Sequence, residues 1–306
     1  MNLLVTGAWI GAQAHIPAIE AMGHQVVFLQ WETEPLPCEP GWVEGVICNS
    51  LFLHHPIEGF PNLRYIQTIS AGLDRVDLDY VAAHGIELHN ARGVYSVPMA
   101  EFAVGGVLQL YKQAKTFFEN QKSHLWQKHR DLRELCGKTV TVLGCGSVGT
   151  ECAKRFRAFG CRILGVDLFP RADANYDGMI PLSALDRVLP ETDVLVLTLP
   201  LTKDTRGLIG ADRLARLKRD AVLVNIARGP IVDEAALTEA LRSGSLSGAV
   251  LDVFETEPLT ETSPLWDMQN VILTPHNSFA GEGNGKRMQT LFFQNLSSAK
   301  EPLNEQ

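Results

Sequence analysis

The stretch Thr139-Val-Thr-Val-Leu-Gly-Cys-Gly-Ser-Val-Gly149 decides the fold of this chain. Its first five residues form an apolar, β-branched run, which is typical of a buried strand. The next six carry the spacing Gly-x-Gly-x-x-Gly. Apolar residues then recur on one helical face, at Val148, Cys152, Phe156 and Phe159. The stretch therefore predicts a strand, a tight glycine turn and a helix, in that order.

Further apolar runs follow the first at regular intervals. Runs of this kind are typical of strands that are buried on both faces of a parallel sheet. The predicted strands are 139–143, 162–166, 194–199, 221–226, 248–253 and 270–274. Because helix-length segments separate them, the sequence predicts a doubly wound parallel-sheet Rossmann domain.

The first hundred residues predict a second, smaller α/β domain of flavodoxin-like type. Its strand candidates are 3–6, 26–29, 46–48 and 65–69, with helix-length spacers between them. The last apolar helical pattern begins near Lys286, after the strands of the Rossmann domain are complete. We therefore predict one domain of residues 1–98 completed by a C-terminal helix in 278–306, and a Rossmann domain of residues 99–277.

Composition excludes several classes of protein. The 306 residues are 45% hydrophobic and 20% charged, which is ordinary for a soluble globular protein with about two domains. The formal net charge is −8, and basic residues form no continuous run, so neither nucleic acid nor a membrane surface is an expected partner. The six cysteines contain no Cys-x-x-Cys pair. We predict free thiols, no metal site and a cytoplasmic location.

A strand, a glycine turn and a helix with this spacing form the context in which a dinucleotide binds. Gly144 would allow the tight turn, Gly146 would let the backbone approach a pyrophosphate, and Gly149 would let helix and strand pack closely. The next predicted strand ends at Asp167, near the spacing of about 20 residues expected for a ribose-binding acid. A carboxylate there repels a 2′-phosphate, so we predict NAD over NADP. The nearby Arg171 weakens this preference, and a plain surface aspartate is the alternative reading.

Polar side chains follow three neighbouring strands at the carboxyl edge, where open α/β sheets bind ligands. They are Arg228, Glu257 and His276. Each alone has an ordinary structural reading, as a capping arginine, a solvated acid or a structural histidine. Their convergence on one edge fits reduction of a 2-keto acid. His276 would donate the proton, Glu257 would orient the imidazole, and Arg228 would hold the substrate with its planar fork.

Over nearly its whole length the chain resembles the D-isomer-specific 2-hydroxyacid dehydrogenases. The matching segments are 137–140, 144–149, 199–209, 225–233, 249–254, 257–258 and 274–276. Upstream, Ser70-Ala-Gly-Leu-Asp74 resembles the carboxylate-binding loop of that family, and Asn90 to Glu101 resembles its interdomain segment. Glu301-Pro-Leu-Asn304 resembles its usual C-terminal end. The resemblance implies an oxidoreductase that transfers a hydride between NAD(H) and a small 2-hydroxy or 2-keto acid.

The resemblance also implies a role for each matching residue. The catalytic set would be Arg228, Glu257 and His276. The substrate would contact Ser70, Ala71, Gly72, Arg228 and His276. The cofactor would contact Gly144, Gly146, Ser147, Val148, Gly149, Asp167, Leu199, Pro200, Thr205, Ala227 and Asp252. Family members are usually homodimers joined through the cofactor domains, and Trp126 lies in the segment that takes part.

The substrate is less well defined by the resemblance. Members that act on 3-phosphoglycerate carry Val-Arg-Ser where this chain has Cys48-Asn-Ser50, so the phosphate-binding arginine is missing. We therefore favour glyoxylate or hydroxypyruvate and keep D-3-phosphoglycerate dehydrogenase as the alternative. A non-enzymatic, NAD(H)-sensing co-repressor is a second alternative. Formate dehydrogenase is disfavoured, because that branch lacks the glutamate partner that Glu257 supplies here.

Two departures from the family pattern bear on the site. Cys145 is unusual within the glycine turn, and a thiol at a helix N-terminus can have a lowered pKa. A reactive thiol and a buried, inert thiol are both open readings. Phe279 replaces a small residue after His276 and would narrow the pocket. In the smaller domain, the residues expected to shape the pocket are Trp9, Leu51, Phe52, His54 and His55.

Overall fold

Parallel strands make up both sheets of this protein, whose computed structural model describes residues 1–299. The chain divides into two units. One is 96–280, and the other combines 1–95 with the segment that starts at Gly281. The stretch Glu301–Asn304, predicted to form the C-terminal end of the family, lies outside the described residues.

The smaller unit contains a five-stranded sheet in the order β2-β1-β3-β4-β5. The strands are β1 (Asn2–Thr6), β2 (Gln25–Leu29), β3 (Gly45–Cys48), β4 (Tyr65–Thr68) and β5 (Glu87–His89). Helices α1 (Ala12–Ala21) and α2 (Leu78–Ala83) lie in the connections. The first four strands agree with the predicted runs. The sequence does not predict β5, because a short edge strand with polar ends leaves no apolar run.

The larger unit contains a seven-stranded sheet in the order β12-β11-β10-β9-β6-β7-β8. The strands are β6 (Thr139–Leu143), β7 (Arg162–Asp167), β8 (Gly178–Pro181), β9 (Val194–Leu197), β10 (Val222–Asn225), β11 (Gly248–Leu251) and β12 (Val271–Leu273). The helices are α3 (Ser96–Tyr111), α4 (Ala114–Lys122), α5 (Ser147–Ala158), α6 (Ala211–Leu214) and α7 (Glu234–Ser243). The predicted doubly wound sheet is confirmed.

Strand β8 is an addition to the predicted sheet. It pairs with β7 at the edge, and its sequence Gly-Met-Ile-Pro is at most half-buried. Glycine and proline both depress strand propensity, and proline is tolerated at an edge because it need not donate to the ladder. The sequence thus contains no signal for β8, whereas its neighbour β7 is a largely buried apolar run.

Helix α8 (Asn284–Ser298) completes the smaller unit from the far end of the chain. Its Phe292 is fully buried, and the ring lies edge-on to Trp9 at a centroid distance of 5.0 Å. Trp9 also stacks on His15. Among the described residues, no helix is both long enough and apolar enough to cross a bilayer.

Candidate active site

The glycine turn after β6 lies at the switch point of the larger sheet, where the strand order reverses between β6 and β9. A Cβ atom at Gly149 would lie 2.1 Å from the Gly144 carbonyl oxygen, and one at Gly144 would lie 2.6 Å from the Leu199 nitrogen. Gly144 also has a φ of +97°. By contrast, a Cβ at Gly146 would meet nothing within 4 Å. The turn is therefore packed on its inner side and open at Gly146.

The open side of the turn leads into the N-terminus of α5. Gly146 is the N-cap and supplies no side chain that could accept hydrogen bonds from the first-turn N–H groups. Ser147 and Val148 form that first turn and are both half-buried. A helix N-terminus carries partial positive charge and binds phosphate groups. These residues fit the pyrophosphate of a dinucleotide.

Asp167, at the end of β7, and Arg171, which follows it, hold the glycine turn through hydrogen bonds. The Asp167 carboxylate accepts hydrogen bonds from the Cys145 backbone N–H at 2.7 Å and from that of Phe169 at 3.0 Å. The Arg171 guanidinium donates to the Cys145 carbonyl oxygen at 2.7 Å. The structure thus brings the predicted ribose acid and the nearby arginine to the same turn.

The Cys145 thiol points away from the open side of the turn. Its side chain is fully buried, and Sγ lies 3.8 Å and 3.7 Å from the carbonyl oxygens of Val142 and Val166. Burial raises the pKa of Cys145 to about 11. Of the two open readings of Cys145, this burial supports the inert thiol, because the side chain lies under the helix N-terminus and is not exposed at its tip.

The burial of Cys145 predicts how the protein responds to alkylation. At pH 7.5, iodoacetamide should label the exposed Cys136 and leave Cys145 unmodified, because a thiol with a pKa of about 11 is protonated at that pH. Peptide mass mapping of the native protein measures both sites. A Cys136→Ser variant is the matched control and should bind NADH normally before and after treatment. Labelling of Cys145 with loss of NADH binding would contradict the prediction.

Three further predicted cofactor contacts lie in the loop after β9 and differ in how far they are exposed to solvent. Leu199 and Thr205 are buried, and Pro200 is exposed. The Thr205 hydroxyl donates to the Pro200 carbonyl at 2.8 Å and accepts from the Thr202 N–H at 2.7 Å, so it closes the loop on itself. Sequence reasoning missed Thr198, whose hydroxyl donates to the Gly144 carbonyl at 2.6 Å. A single threonine beside a strand end carries no spacing signal.

Arg228 is held by the short segment that follows β10. The buried Asn225 side chain accepts from the Ala227 N–H and donates to the Arg228 carbonyl, both at 3.1 Å. The next residue must be glycine, since a Cβ at Gly229 would lie 1.9 Å from the Phe254 carbonyl group. The half-buried Arg228 side chain donates from Nη1 to the Ala227 carbonyl. Local packing thus fixes the backbone that presents this guanidinium.

Glu257 and His276 form a hydrogen-bonded pair. The Glu257 carboxylate lies 2.7 Å from Nδ1 of His276, and its other oxygen accepts from the Phe254 N–H at 3.1 Å. Their side chains are 36% and 44% exposed, so both reach solvent. In this pairing the Nδ1–H of His276 donates to the Glu257 carboxylate. Nε2 is therefore the ring nitrogen left to exchange a proton with a substrate.

The neighbourhood of His276 has two further features. The backbone of His276 has a φ of +50°, a conformation that a residue other than glycine keeps only when its surroundings enforce it. The ring of Phe279 lies edge-on at a centroid distance of 6.5 Å and is 44% exposed. An aromatic side chain thus lies beside the imidazole, and narrowing of the pocket by Phe279 stays a prediction.

In the smaller unit, the loop from Ser70 to Gly72 follows β4. Its carbonyl oxygens all accept hydrogen bonds from within that unit. The donors are Thr68 Oγ1 and the Ala91 N–H to Ser70, Asn90 Nδ2 to Ala71, and Ser70 Oγ to Gly72. These hydrogen bonds fix the backbone of the loop within the smaller unit.

Glu32, which sequence reasoning missed, organises the neighbouring loop after β3. Its carboxylate accepts from the backbone N–H groups of Asn49 and Ser50, from the Ser50 hydroxyl and from Thr6 Oγ1, at 2.7 to 2.8 Å. Although burial opposes ionisation, these hydrogen bonds lower the pKa of Glu32. Members that act on 3-phosphoglycerate have an arginine at the position of Asn49. In this chain the loop at that position is held by hydrogen bonds to a negatively charged carboxylate.

The residues expected to shape the pocket after the first strands divide into two groups. Trp9 and Leu51 are buried, with 2% and 0% exposure, so their expected role as pocket walls is wrong. The apolar packing of Trp9 against Phe292 accounts for its burial. Phe52 and His55 are half-buried, and His54 is exposed.

Comparison with known proteins identifies the family. The family model "D-isomer specific 2-hydroxyacid dehydrogenase, NAD binding domain" matches residues 104–278. A glyoxylate reductase of Thermofilum pendens is 37% identical over 78% of this chain and 73% of its own. One of Korarchaeum cryptofilum is 33% identical over 88% and 85%. A D-3-phosphoglycerate dehydrogenase of Archaeoglobus fulgidus is 36% identical over 72% of this chain but only 42% of its own.

Solved structures agree. A D-isomer specific 2-hydroxyacid dehydrogenase family protein of Aeromonas salmonicida superposes with a TM-score of 0.84 at 32% identity, covering 96% of this chain and 94% of that one. A dehydrogenase of Xanthobacter autotrophicus, in complex with NADPH and MES, has a TM-score of 0.79 at 31% identity and covers 99% and 96%. A D-lactate dehydrogenase of Aquifex aeolicus, complexed with NAD and lactic acid, has a TM-score of 0.76 at 29% identity and covers 96% and 93%.

The chain belongs to the D-isomer specific 2-hydroxyacid dehydrogenase family. It is an oxidoreductase that uses a nicotinamide dinucleotide, and its substrates are of the 2-hydroxy and 2-keto acid class.

Proposed function

We propose that this protein reduces a small, unphosphorylated 2-keto acid of the glyoxylate or hydroxypyruvate type to the D-2-hydroxy acid with NADH. The observation that carries the proposal is the 2.7 Å pair of Glu257 and His276 at the same sheet edge as Arg228. Glyoxylate reductases among the relatives support the substrate type.

His276 is the acid–base group of this proposal. The nicotinamide, when bound, supplies the hydride for the carbonyl carbon. His276 donates a proton from Nε2 to the carbonyl oxygen and recovers it in the reverse reaction. Glu257 accepts from Nδ1–H and thereby fixes the orientation and the tautomer of the ring.

The substrate carboxylate and carbonyl need donors with fixed geometry. Arg228 offers a planar guanidinium that can bind two oxygen atoms at once. In the smaller unit, the carbonyl oxygens of the loop Ser70–Gly72 are engaged by donors of that unit, and backbone N–H groups of such a loop can form an anion-binding site. Each of these two elements, within its own unit, therefore offers donors of the kind that bind a carboxylate.

Glu32 favours an unphosphorylated substrate. The N–H groups of Asn49 and Ser50, which could otherwise bind phosphate oxygens, already donate to its carboxylate. A phosphate at this loop would therefore meet an ionised acid without the compensating arginine. This arrangement disfavours the alternative of D-3-phosphoglycerate dehydrogenase.

Asp167 favours NAD over NADP. The Asp167 carboxylate lies at the end of β7 beside the glycine turn, where it would repel a 2′-phosphate. The Arg171 guanidinium donates to the Cys145 carbonyl, so part of its donor capacity is directed at the turn. The remaining predicted contacts keep their proposed roles in cofactor binding.

We also propose a homodimer formed through the larger unit. Trp126 is 94% exposed, and Phe118 and Leu125 are 58% and 52% exposed on the same stretch of chain. Large exposed apolar side chains that cluster mark association surfaces. Light scattering coupled to gel filtration should give twice the chain mass of 33.7 kDa. A monomer at micromolar concentration would overturn this part of the proposal.

A panel of keto acids tests the proposed activity. NADH oxidation would be followed with glyoxylate, hydroxypyruvate, phosphohydroxypyruvate, pyruvate and a branched 2-keto acid, with NADPH in parallel. We expect turnover with glyoxylate or hydroxypyruvate and a higher kcat/KM with NADH than with NADPH. A preference for phosphohydroxypyruvate would overturn the substrate assignment. Tight NADH binding without any turnover would favour the NAD(H)-sensing co-repressor.

The proton role of His276 predicts opposite pH trends in the two directions. Reduction requires the protonated imidazole, so its kcat/KM should fall as pH rises through the ionisation of the histidine. Oxidation requires the neutral imidazole, so its kcat/KM should fall as pH decreases. Rates between pH 5 and 9 in both directions, with deuterated cofactor to verify that chemistry limits the rate, provide the measurement. Identical trends in both directions would contradict the assignment.

A further inference from the structure

Glu32 places a negative charge without a basic partner beneath the loop that follows β3. The residue comes shortly after β2 and is only 9% exposed. Oε1 accepts from Thr6 Oγ1 and the Asn49 N–H, and Oε2 accepts from the N–H and the hydroxyl of Ser50. Within residues 1–299 no basic side chain forms an ion pair with this carboxylate. Dipoles alone stabilise the charge, and because they lower its pKa the carboxylate is ionised at neutral pH.

The loop after β3 lies beside the loop after β4, because the two strands are neighbours in the sheet. The Ile69 N–H donates to the Cys48 carbonyl oxygen at 2.9 Å, so the two strands stay paired up to the start of both loops. Adjacent strands lie about 4.8 Å apart. A small acid whose carboxylate is bound by the loop Ser70–Gly72 therefore has Asn49 and Ser50 within about one strand spacing.

We propose that Glu32 is a specificity-determining residue that selects 2-keto acids by the charge carried on C3. Its carboxylate repels an anionic substituent, whether a phosphate or a second carboxylate, and accepts a neutral hydroxyl. Burial limits the screening of this repulsion by water and salt. The inference rests on the proposed function and deepens it, because the exclusion extends from phosphorylated acids to 2-keto dicarboxylic acids.

Glu32→Gln tests the inference, since it removes the charge with little change in the size of the side chain. The kcat/KM with NADH would be measured for glyoxylate, hydroxypyruvate, phosphohydroxypyruvate and oxaloacetate. Relative to hydroxypyruvate, we expect the values for phosphohydroxypyruvate and oxaloacetate to rise by about 10-fold or more, the effect of one like charge at close range. Glyoxylate has no C3, so its value relative to hydroxypyruvate should stay unchanged. The Kd for NADH should also stay unchanged.

Three further variants separate charge from geometry. Thr6→Val removes the 2.8 Å hydrogen bond to Glu32 but keeps the charge, so the substrate ratios should stay at wild-type values. Glu44→Gln is the matched control for loss of a negative charge. Glu44 also accepts a backbone N–H, that of Asn2 at 2.7 Å, but precedes β3 at the other end of the strand, so the ratios should not change. If Glu32→Gln does not fold, Asn49→Asp adds a charge to the same loop and should lower both ratios further.

The outcomes separate the inference from the proposed function. Wild-type ratios in a folded Glu32→Gln enzyme would overturn the inference. An equal rise in Thr6→Val would overturn it as well, because the effect would come from the geometry of the loop. Unchanged ratios in Asn49→Asp would show that the C3 substituent does not lie against this loop, with the same consequence. A wild-type enzyme that prefers phosphohydroxypyruvate, or that reduces no keto acid, would instead overturn the proposed function.

Discussion

Replacing His276 by alanine should lower kcat for keto-acid reduction by about 10²- to 10⁴-fold, the usual contribution of a positioned general acid. The loss follows from the position of the imidazole, which Glu257 holds at 2.7 Å through Nδ1 while Nε2 is left for the substrate. NADH binding should be retained, because the glycine turn follows β6, which lies four positions away from β12 in the sheet. Steady-state kinetics and fluorescence titration with NADH measure the two effects.

A second substitution isolates the contribution of the acidic partner. Glu257→Gln keeps a hydrogen-bond acceptor for Nδ1 but removes the charge, so it should retain more activity than His276→Ala. His84→Ala is the control, since His84 is exposed at the end of α2 and stacks only on Tyr80. Wild-type turnover in His276→Ala would remove this histidine from the mechanism.

Arg228→Lys should lower kcat/KM by about 10- to 150-fold, the equivalent of one charge-assisted hydrogen bond of about 1.5–3 kcal/mol. Lysine keeps the positive charge but cannot reproduce the planar fork that binds two oxygen atoms. The fold at this position should survive, because Asn225 holds the backbone of the segment and not the side chain of Arg228. Kinetics at saturating NADH across keto-acid concentrations provide the measurement.

The control for Arg228→Lys is Arg162→Lys in the same unit. Arg162 is 52% exposed and pairs with Glu191 on the surface, so its replacement should leave kcat/KM unchanged. A near-normal Arg228→Lys enzyme would show that charge alone suffices, and the bidentate role proposed for this residue would then be wrong.

The sequence predicts those parts of the site that depend on local spacing. Gly144, Gly146 and Gly149 lie in one turn, so their order in the chain almost determines their arrangement. The carboxyl ends of β10, β11 and β12 meet at one edge because parallel strands share a direction, which brings Arg228, Glu257 and His276 to that edge. Strong apolar runs make both inferences possible.

Other features depend on contacts between distant residues and leave no such pattern. Glu32 and Ser50 lie close together because β2 and β3 flank β1 in the sheet. No sequence spacing predicts that the Glu32 carboxylate accepts four hydrogen bonds there. The inward direction of the Cys145 thiol similarly depends on the packing beneath the turn. The edge strands β5 and β8 escape prediction for a simpler reason, since an edge needs fewer buried apolar residues.

The return of α8 to the smaller unit has a consequence for the order in which the protein matures on the ribosome. Once Ala280 has been synthesised, every strand of the seven-stranded sheet has been delivered. At that point Trp9, which is synthesised much earlier, is not yet covered, because Phe292, the ring that packs against it, follows later in the chain. Domains fold as units as the chain emerges. The smaller unit, whose strands come first in the chain, is therefore completed after the larger one, once α8 has been made.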